Sequence, residues 1–176
     1  MEKTKILIIE DDEFVANQMK WALAESHEVF LAEDRPSGIE ILNREHPSVV
    51  TLDLGLPPSA GDTTEGFRAL GEMLQADPML KVMVITGQDE QENALQAIGR
   101  GAFDFFCKPV NMEALKVVIG RALRVGELEA INRGRLSENN GSSFEGMLGK
   151  SPKMQTVFQD IRKVAVTDAP VLISGE

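Results

Sequence analysis

The sequence predicts an α/β domain with a doubly wound parallel sheet over about its first 123 residues. Five short aliphatic runs alternate with segments of helical periodicity, so that each run is connected to the next by a helix. Parallel strands need such crossover connections, whereas antiparallel neighbours can be joined by a tight turn. The composition of the 176 residues, 43% hydrophobic and 26% charged, is that of an ordinary globular chain.

Each predicted strand is a short run rich in aliphatic side chains. The first run ends with four consecutive aliphatic residues, which is typical of a strand that is buried on both faces. The second run has the weakest pattern of the five. The predicted strands are Lys5–Ile9, Glu28–Ala32, Val49–Leu54, Lys81–Thr86 and Ala102–Cys107.

Each predicted helix carries its apolar residues on one face. In the third helix, Phe67, Leu70 and Leu74 recur at helical spacing, and we expect this helix to end before Pro78 because proline removes a backbone donor. The predicted helices are Phe14–Glu25, Ser37 to about Glu45, a helix around Phe67–Leu74, Glu90–Gly99 and Met112–Leu123.

The pattern changes after residue 123. Residues 124–138 are polar helix formers, so we expect the fifth helix to continue through Leu128 and Ile131. Asn139–Ser143 predicts a flexible linker, and an amphipathic helix with Ser151 as N-cap and Pro152 at its first position follows it. The expected parts are a domain at 1–123, a linker that is helical and then flexible at 124–143, and a third part at 144–176 that ends with a strand at Ala169–Ile173.

Charge and composition exclude several classes of protein. The net charge is −10, and residues 1–110 hold 20 acidic but only 9 basic side chains, so this part should repel nucleic-acid backbones. The single cysteine, Cys107, excludes an internal disulfide and favours a reducing cytoplasm. The aliphatic runs are far shorter than the roughly 18 residues of a membrane span, and acidic residues follow the first run too soon for a signal peptide.

Polar side chains stand where four of the predicted strands end. The residues at these positions are Glu10-Asp11-Asp12, Asp53, Thr86 and Lys108-Pro109. Ligands bind outside the carboxyl ends of the strands in a doubly wound sheet, so these side chains predict a site. Carboxylates that converge there repel one another unless a cation lies between them, and Mg²⁺ prefers such hard oxygen ligands. A carboxylate beside Mg²⁺ can act as a nucleophile toward phosphorus.

A structural explanation exists for each of these residues taken singly. Asp12 can cap a helix, Asp53 can belong to a turn, and Lys108 can be a solvated surface lysine. The combination on four strand ends favours a site. The remaining candidates are weaker, because His27 and His46 lie in polar loop contexts and Cys107 ends an apolar strand, where packing explains it.

Four separated motifs resemble the receiver domain of two-component response regulators. They are Ile6–Asp12, Asp53-Leu54-Gly55-Leu56-Pro57, Thr86-Gly87 and Lys108-Pro109. The resemblance covers about residues 3–123 and implies a flavodoxin-like fold with strand order 2-1-3-4-5. Two features depart from the family pattern. The aromatic switch position is Phe105, which has no hydroxyl, and the stretch Pro58–Thr64 lengthens the loop after the third strand.

The resemblance implies a role for each matching residue. Asp53 would be the phosphoacceptor, and Mg²⁺ would be held by Glu10, Asp11, Asp53 and the main-chain carbonyl of Gly55. Thr86, Phe105 and Lys108 would form the switch and bind the phosphoryl group, and a cis peptide would precede Pro109. Asp12 falls one place beyond the acidic pair, so we assign it to helix capping.

The C-terminal residues resemble the opening of the ATPase module of sigma-54-dependent transcription activators. The resemblance rests on Leu148–Met154, the helix after it, and Pro170–Glu176, with the family's phosphate loop beginning at Gly175. It implies that residues 144–176 are the truncated start of an AAA+ module, and that contacts with sigma-54 RNA polymerase and DNA belong to missing C-terminal domains. The segment around Asp53, with its long loop, also resembles the PEP-CTERM-box subgroup.

The expected function is therefore that of a bacterial, cytoplasmic receiver which a sensor histidine kinase phosphorylates. Phosphorylation would repack the face of helix 4, strand 5 and helix 5, and we expect a homodimer through helix 5 and the linker. The chain would catalyse only its own phosphorylation and dephosphorylation. An aspartyl-phosphate phosphatase is the first alternative, but Gly55 stands where such enzymes carry a second acid. A receiver-like binding module that is never phosphorylated is the second alternative, and the intact acidic and switch residues argue against it.

Overall fold

A computed structural model describes residues 3–58, 62–87, 91–140, 143–144, 147–148 and 151–164. Contacts divide the chain into two compact units, Met1–Glu127 and Leu128–Glu176. The strands of the first unit are β1 (Thr4–Ile9), β2 (His27–Ala32), β3 (Val49–Asp53), β4 (Lys81–Thr86) and β5 (Asp104–Cys107). The helices that follow them are α1 (Glu13–Leu23), α2 (Arg35–Glu45), α3 (Thr64–Ala76), α4 (Gln91–Gly99) and α5 (Met112–Asn140).

The five strands form one parallel sheet in the order β2-β1-β3-β4-β5, which confirms the predicted fold class and strand order. The predicted bounds agree with the structure to within about two residues for most elements. The second and third helices begin earlier than their apolar patterns indicate. A proline at the second position of α2 and the polar start of α3 explain this difference, because an apolar pattern marks only the buried part of a helix.

Alternating residues of the central strands pack into two separate cores. Leu7 and Ile9 of β1 belong to one core with α2, α3 and Ala97, whereas Ile6 and Ile8 belong to the other with α1 and α5. All residues of β3 and β4 are buried. A strand buried on both faces holds its carboxyl end in a fixed position, which is what a site at that edge requires.

The fifth helix runs to Asn140 without a break, so the expected continuation through Leu128 and Ile131 is confirmed. It includes Asn139 and Asn140, and the prediction that these two residues begin the linker is wrong. Asparagine lowers helix stability by less than about 0.7 kcal/mol relative to alanine, which is too little to end a long helix.

The second unit contains further short elements. β6 (Ser143–Phe144) pairs antiparallel with β7 (Met147–Leu148), and the sequence pattern does not predict this pair. α6 (Pro152–Val164) begins as predicted, because the Ser151 hydroxyl accepts a hydrogen bond from the Met154 amide at 3.2 Å. The expected strand at Ala169–Ile173 and the position of Gly175 lie outside the described residues. Within the described ranges, no helix is both long and apolar enough to cross a membrane.

Helix α3 packs very closely on the chain that leaves β3. A Cβ atom added to Gly66 would lie 2.5 Å from the Cα atom and 2.5 Å from the carbonyl oxygen of Leu54. A Cβ atom added to Gly71, in the same helix, would meet nothing within 4 Å. Only glycine at position 66 therefore allows α3 to lie against the segment that follows Asp53.

We predict that Gly66→Ala destabilises the protein by about 1–3 kcal/mol, because backbone atoms must move to admit the methyl group. Gly71→Ala is the matched control and should stabilise the protein by about 0.5–1 kcal/mol, because alanine loses less backbone entropy in a helix. Urea unfolding of both variants measures the two effects. Equal stability of the two variants would contradict this description of the α3 contact.

Candidate functional site

Four strands deliver polar side chains to one edge of the sheet. Glu10 follows the last residue of β1, Asp53 is the last residue of β3, Thr86 is the last residue of β4, and Lys108 follows β5. The strands are parallel, so their carboxyl ends meet at the same edge. The order of the strands reverses between β1 and β3, where Glu10 and Asp53 lie, and open crevices form at such points.

The ammonium group of Lys108 joins the two sides of this crevice. Its Nζ atom donates hydrogen bonds to Glu10 Oε1 at 2.8 Å and to Asp53 Oδ2 at 3.0 Å. The backbone of Lys108 is fixed as well, because its amide donates to the Thr86 carbonyl at 2.8 Å. The peptide bond between Lys108 and Pro109 is cis, as is the bond between Pro57 and Pro58.

Three carboxylates cluster beside this ammonium group. Glu10, Asp11 and Asp53 each offer one oxygen atom, and these oxygens all lie within 4.8 Å of one another. Glu10 and Asp53 are buried, with only 2% and 6% of their surface exposed, whereas Asp11 is exposed. Glu10 Oε2 is buried without a hydrogen-bond partner among the described residues. A hard divalent cation fits this donor set, because it would bind the unpartnered oxygen and neutralise the cluster.

Burial and neighbouring charges shift the pKa values of Glu10 and Lys108. Burial, together with the negative charge of Asp53, raises the pKa of Glu10 from 4.5 to about 7, although Lys108 opposes the shift. Burial acts to lower the pKa of Lys108, but its hydrogen bond to Glu10 and the charge of Asp53 outweigh burial, and the pKa is raised. Lys108 therefore remains a cation at neutral pH.

Asp12 belongs to the helix and not to the cluster. Its carboxylate accepts hydrogen bonds from the amides of Phe14 at 2.9 Å and Val15 at 3.1 Å, which makes it the N-cap of α1. Its own amide donates to Glu10 Oε1 at 3.3 Å. The cap thus commits the Asp12 side chain and helps to orient Glu10.

The segment after β3 turns closely around Asp53. Leu54 and Leu56 are fully buried, and Gly55 lies between them. A Cβ atom at Gly55 would lie 3.6 Å from Asp53 Oδ2, so this residue passes beside the carboxylate. Residues 59–61 of the long loop lie outside the described residues, and beyond them Asp62 Oδ1 accepts hydrogen bonds from the amide and the hydroxyl of Thr64.

The two remaining switch candidates differ in exposure. Thr86 is 1% exposed and follows Ile85, which pairs with Asp53 across the β3–β4 ladder. Phe105 lies on β5 opposite Val84 of β4, and its side chain is one of the exposed large apolar groups, at 36%. Thr86 is therefore close to Asp53 in the sheet, and Phe105 belongs to the surface of the neighbouring strand.

The other titratable candidates lie away from the cluster. His27 begins β2 at the opposite edge of the sheet, where burial and the charge of Lys3 lower its pKa. His46 ends α2 in a left-handed conformation with φ of 50°. Cys107 is half-buried at the end of β5.

Comparison with known proteins identifies the family. Residues 6–120 match the family model of the response regulator receiver domain. The chain belongs to the response regulator receiver family. Receiver domains of two-component regulators accept a phosphoryl group on an aspartate, interact with histidine kinases, bind Mg²⁺ through acidic residues, and are not enzymes in the classical sense.

The similarity extends to longer regulators. The regulatory protein AtoC of Escherichia coli (strain K12) is 30% identical over 175 residues, which cover 98% of this chain and 37% of AtoC. The response regulator protein PilR of Pseudomonas aeruginosa is 29% identical over 177 residues, which cover 100% of this chain and 37% of PilR. This receiver chain thus spans a little over a third of the length of the curated relatives that it matches.

Solved structures resemble the receiver in the same way. NtrX from Brucella abortus in complex with ADP is 31% identical, with a TM-score of 0.70, and the match covers 94% of this chain and 36% of NtrX. A CheY-like receiver domain protein from Methanospirillum hungatei JF-1 is 28% identical, with a TM-score of 0.66, and the match covers 73% of this chain and 99% of that protein.

The raised pKa of Glu10 predicts a pH dependence of stability in the absence of divalent cations. The pKa of Glu10 is higher in the folded state than in the unfolded state, so folding favours the protonated carboxyl group. Its contribution to the free energy of unfolding is complete below pH 4.5 and is lost as the pH rises through about 7. The loss should be of the order of 3 kcal/mol. Urea unfolding with a chelator from pH 4.5 to pH 8 measures it.

Glu10→Gln provides the control for this pH dependence. The variant cannot titrate at position 10, so the difference in stability between the wild type and the variant should fall steadily over the same pH range. A difference that stays constant from pH 4.5 to pH 8 would show that Glu10 has an ordinary pKa in the folded protein.

Proposed function

We propose that Asp53 is the phosphoacceptor and that a sensor histidine kinase supplies its phosphoryl group. The observation that carries the proposal is the contact of Lys108 Nζ with Asp53 Oδ2 at 3.0 Å, inside a cluster of three carboxylates. Asp53 is the only one of the three that lies at the end of a fully buried strand, next to Thr86 and Gly55. Family membership supports a bacterial, cytoplasmic location for this exchange.

The transfer exchanges one bond to phosphorus for another. A carboxylate oxygen of Asp53 forms a bond to phosphorus as the bond between phosphorus and the kinase histidine nitrogen breaks, and that nitrogen keeps the electron pair. Such a reaction depends mainly on positioning and on neutralising the phosphoryl oxygens. Lys108 already lies against Asp53, so its ammonium group can contact these oxygens as they arrive. The buried Thr86 hydroxyl would donate a further hydrogen bond.

Mg²⁺ is the cofactor that these residues suit. Glu10, Asp11, Asp53 and the main-chain carbonyl of Gly55 would hold it, and the unpartnered Glu10 Oε2 supports this set. When bound, Mg²⁺ neutralises the charge that gathers on the phosphoryl oxygens. One ammonium group does not balance three carboxylates, so the site would hold Mg²⁺ in addition to Lys108. Lys108 would therefore keep its contact with Asp53.

Phosphorylation would act on the surface formed by α4, β5 and α5. The phosphoryl group adds about −1.5 to −2 charges beside Asp53. Thr86 would turn toward this charge, and the exposed ring of Phe105 would move into the space that is vacated. Two further apolar side chains of α4, Leu95 and Ile98, are 68% and 39% exposed, which supports a role of this surface in contacts. The response is a population shift between two packings.

The regulated activity would be a sigma-54-activating ATPase of the PEP-CTERM-box subgroup. In this assignment residues 1–123 are the receiver, 124–143 the linker and 144–176 the start of the AAA+ module, with sigma-54 RNA polymerase and DNA bound by other domains. The match to AtoC supports it, because that match covers 98% of the chain while the receiver model ends at residue 120. NtrX, which matches 94% of the chain, has been crystallised with ADP.

The proposed assembly is a homodimer through α5 and the linker. Leu128 and Ile131 are 62% and 52% exposed, and they are three residues apart on α5, so they share one face of this helix. Exposed aliphatic side chains at this spacing are typical of a helix that packs against a partner helix. A second copy of the chain offers the same face.

The phosphoacceptor assignment predicts a single covalent adduct. Incubation of the 176-residue chain with Mg²⁺ and acetyl phosphate should add the mass of one phosphoryl group to the wild type and nothing to Asp53→Asn, because an amide is a poor nucleophile. Asp77→Asn is the matched control, since Asp77 is exposed beside the end of α3, and this variant should be phosphorylated like the wild type. Intact-mass spectrometry measures the adduct.

Three other results would overturn the assignment. An adduct that persists in Asp53→Asn places the phosphoryl group elsewhere. Continuous release of phosphate without an adduct indicates an aspartate-nucleophile phosphatase. A wild type that never gains the adduct indicates a receiver-like binding module.

The metal assignment predicts different effects at two adjacent aspartates. Asp11→Asn should weaken Mg²⁺ binding at least tenfold, because it removes a charged ligand. Asp12→Asn should weaken it less than threefold, because asparagine still caps α1 and Asp12 is not in the cluster. Competition with Mn²⁺, followed by electron paramagnetic resonance of the free ion, measures both. If Asp12→Asn weakened Mg²⁺ binding more than Asp11→Asn, the acidic pair would have to be assigned one residue further along the chain, to Asp11 and Asp12.

A further inference from the structure

Helix α1 presents two aromatic side chains to solvent. Phe14 and Trp21 are each 76% exposed, which is more than any other large apolar side chain among the described residues. They flank a shallow groove that Asn17 and Gln18 of the same helix also line. A single exposed apolar side chain needs no explanation, whereas neighbouring ones are typical of a contact with another molecule.

The two aromatic residues form one stripe along α1. They are seven residues apart, which in an α-helix corresponds to a rise of about 10.5 Å and a rotation of only about 20°. The buried side chains of the helix, Ala16, Met19 and Leu23, lie on the other side of it. The aromatic stripe therefore faces away from the core, and within the described residues nothing covers it.

Two charged residues accompany the aromatic stripe. Glu13 directly precedes Phe14 and Lys20 directly precedes Trp21, so both charges lie on the same side of the stripe. Neither charged side chain forms a hydrogen bond or an ion pair within the described ranges. The stripe thus has an unpaired acid near its beginning and an unpaired base near its end.

This arrangement is complementary to a second copy of itself. In a twofold dimer, a residue that contacts a second residue of the partner is matched by the reverse contact. If two α1 helices pack antiparallel about an axis near the middle of the stripe, Phe14 meets Trp21 of the partner subunit. The same rotation brings the charged sides of the two stripes together, so Glu13 meets the partner's Lys20. All four rings are then covered and all four charges are paired.

We propose that the aromatic stripe of α1 binds the same stripe of a second copy of the chain in an antiparallel dimer. The mirrored order of acid and base favours a second copy over a different protein, which would have no reason to repeat this spacing. The contact is separate from the proposed dimer through α5, and it does not depend on the assignment of Asp53 as the phosphoacceptor.

The size of the contact indicates a weak dimer. An aromatic side chain buries about 150–250 Å², so four of them account for roughly 600–1,000 Å² of buried surface. Stable interfaces bury about 1,200–2,000 Å² in total, and smaller ones belong to transient complexes. We therefore expect monomer and dimer to exchange, with the dimer favoured only at high protein concentration.

The fluorescence of Trp21 tests whether the stripe becomes covered. Trp21 is the only tryptophan, and the chain has no tyrosine, so its emission reports on this surface directly. The full chain is used with Leu128→Gln and Ile131→Gln, which remove the apolar face proposed for the α5 dimer. As the protein concentration rises from about 5 µM to about 500 µM, a range suited to a transient complex, the emission should shift to shorter wavelength. Sedimentation velocity should show a dimer over the same range.

Charge reversal in the same background tests the antiparallel geometry. Glu13→Lys and Lys20→Glu each turn two attractive pairs into two repulsive ones, so each variant alone should dimerise at least tenfold more weakly. An equimolar mixture of the two variants should dimerise like the unmodified background, because both pairs are attractive in the mixed dimer. Glu28→Lys is the matched control and should have no effect. Its neighbour Val29 packs toward α1, so Glu28 points to the opposite face of the sheet.

Two results would overturn the proposal. A monomer whose emission stays constant up to the highest concentration would assign the stripe to a different protein. A dimer that the single charge reversals do not weaken, or that their mixture does not restore, would mean that the copies meet in another way. Recovery in the mixture requires both variants to be folded, so it also excludes misfolding as the cause of their weaker association. The phosphoryl adduct on Asp53 is measured separately, so either result leaves the phosphoacceptor assignment intact.

Discussion

The ammonium group of Lys108 lies between two buried carboxylates, 2.8 Å from Glu10 Oε1 and 3.0 Å from Asp53 Oδ2. Three carboxylates at one edge of a sheet repel one another, and burial strengthens this repulsion because the local dielectric constant is low. One ammonium group offsets only part of the negative charge. Burial and the charge of Asp53 raise the pKa of Glu10, and its Oε2 atom has no hydrogen-bond partner among the described residues. The site is therefore prepared for an additional positive charge.

The fold supplies the rigidity that such a cluster needs. β1 and β3 are neighbours in the sheet, and both are covered by helices on two faces. Gly66 allows α3 to pack against the chain that leaves β3, and the Asp12 cap fixes the start of α1. The buried carboxylates of Glu10 and Asp53 have little room to separate, because both cores hold the strands that carry them. Relief must come from a ligand or a proton.

The sequence predicted much of this arrangement because parallel strands place their ends together. A buried strand that ends in an acid, such as β3 at Asp53, can be recognised from its aliphatic run alone. Asp12 could also be assigned to capping, since aspartate is a common N-cap and the helical pattern begins just after it. The family and the strand order, which the sequence indicated, are confirmed.

Other features depend on tertiary contacts and could not be predicted in this way. The orphaned oxygen and raised pKa of Glu10 arise from burial and from Asp53, which is 43 residues away in the chain. The most direct test of a cation site at this edge of the sheet is an anomalous difference map from crystals soaked in MnCl₂. We expect a peak bounded by the carboxylates of Glu10, Asp11 and Asp53, and a map without a peak at this edge would contradict the assignment of these residues to a cation site.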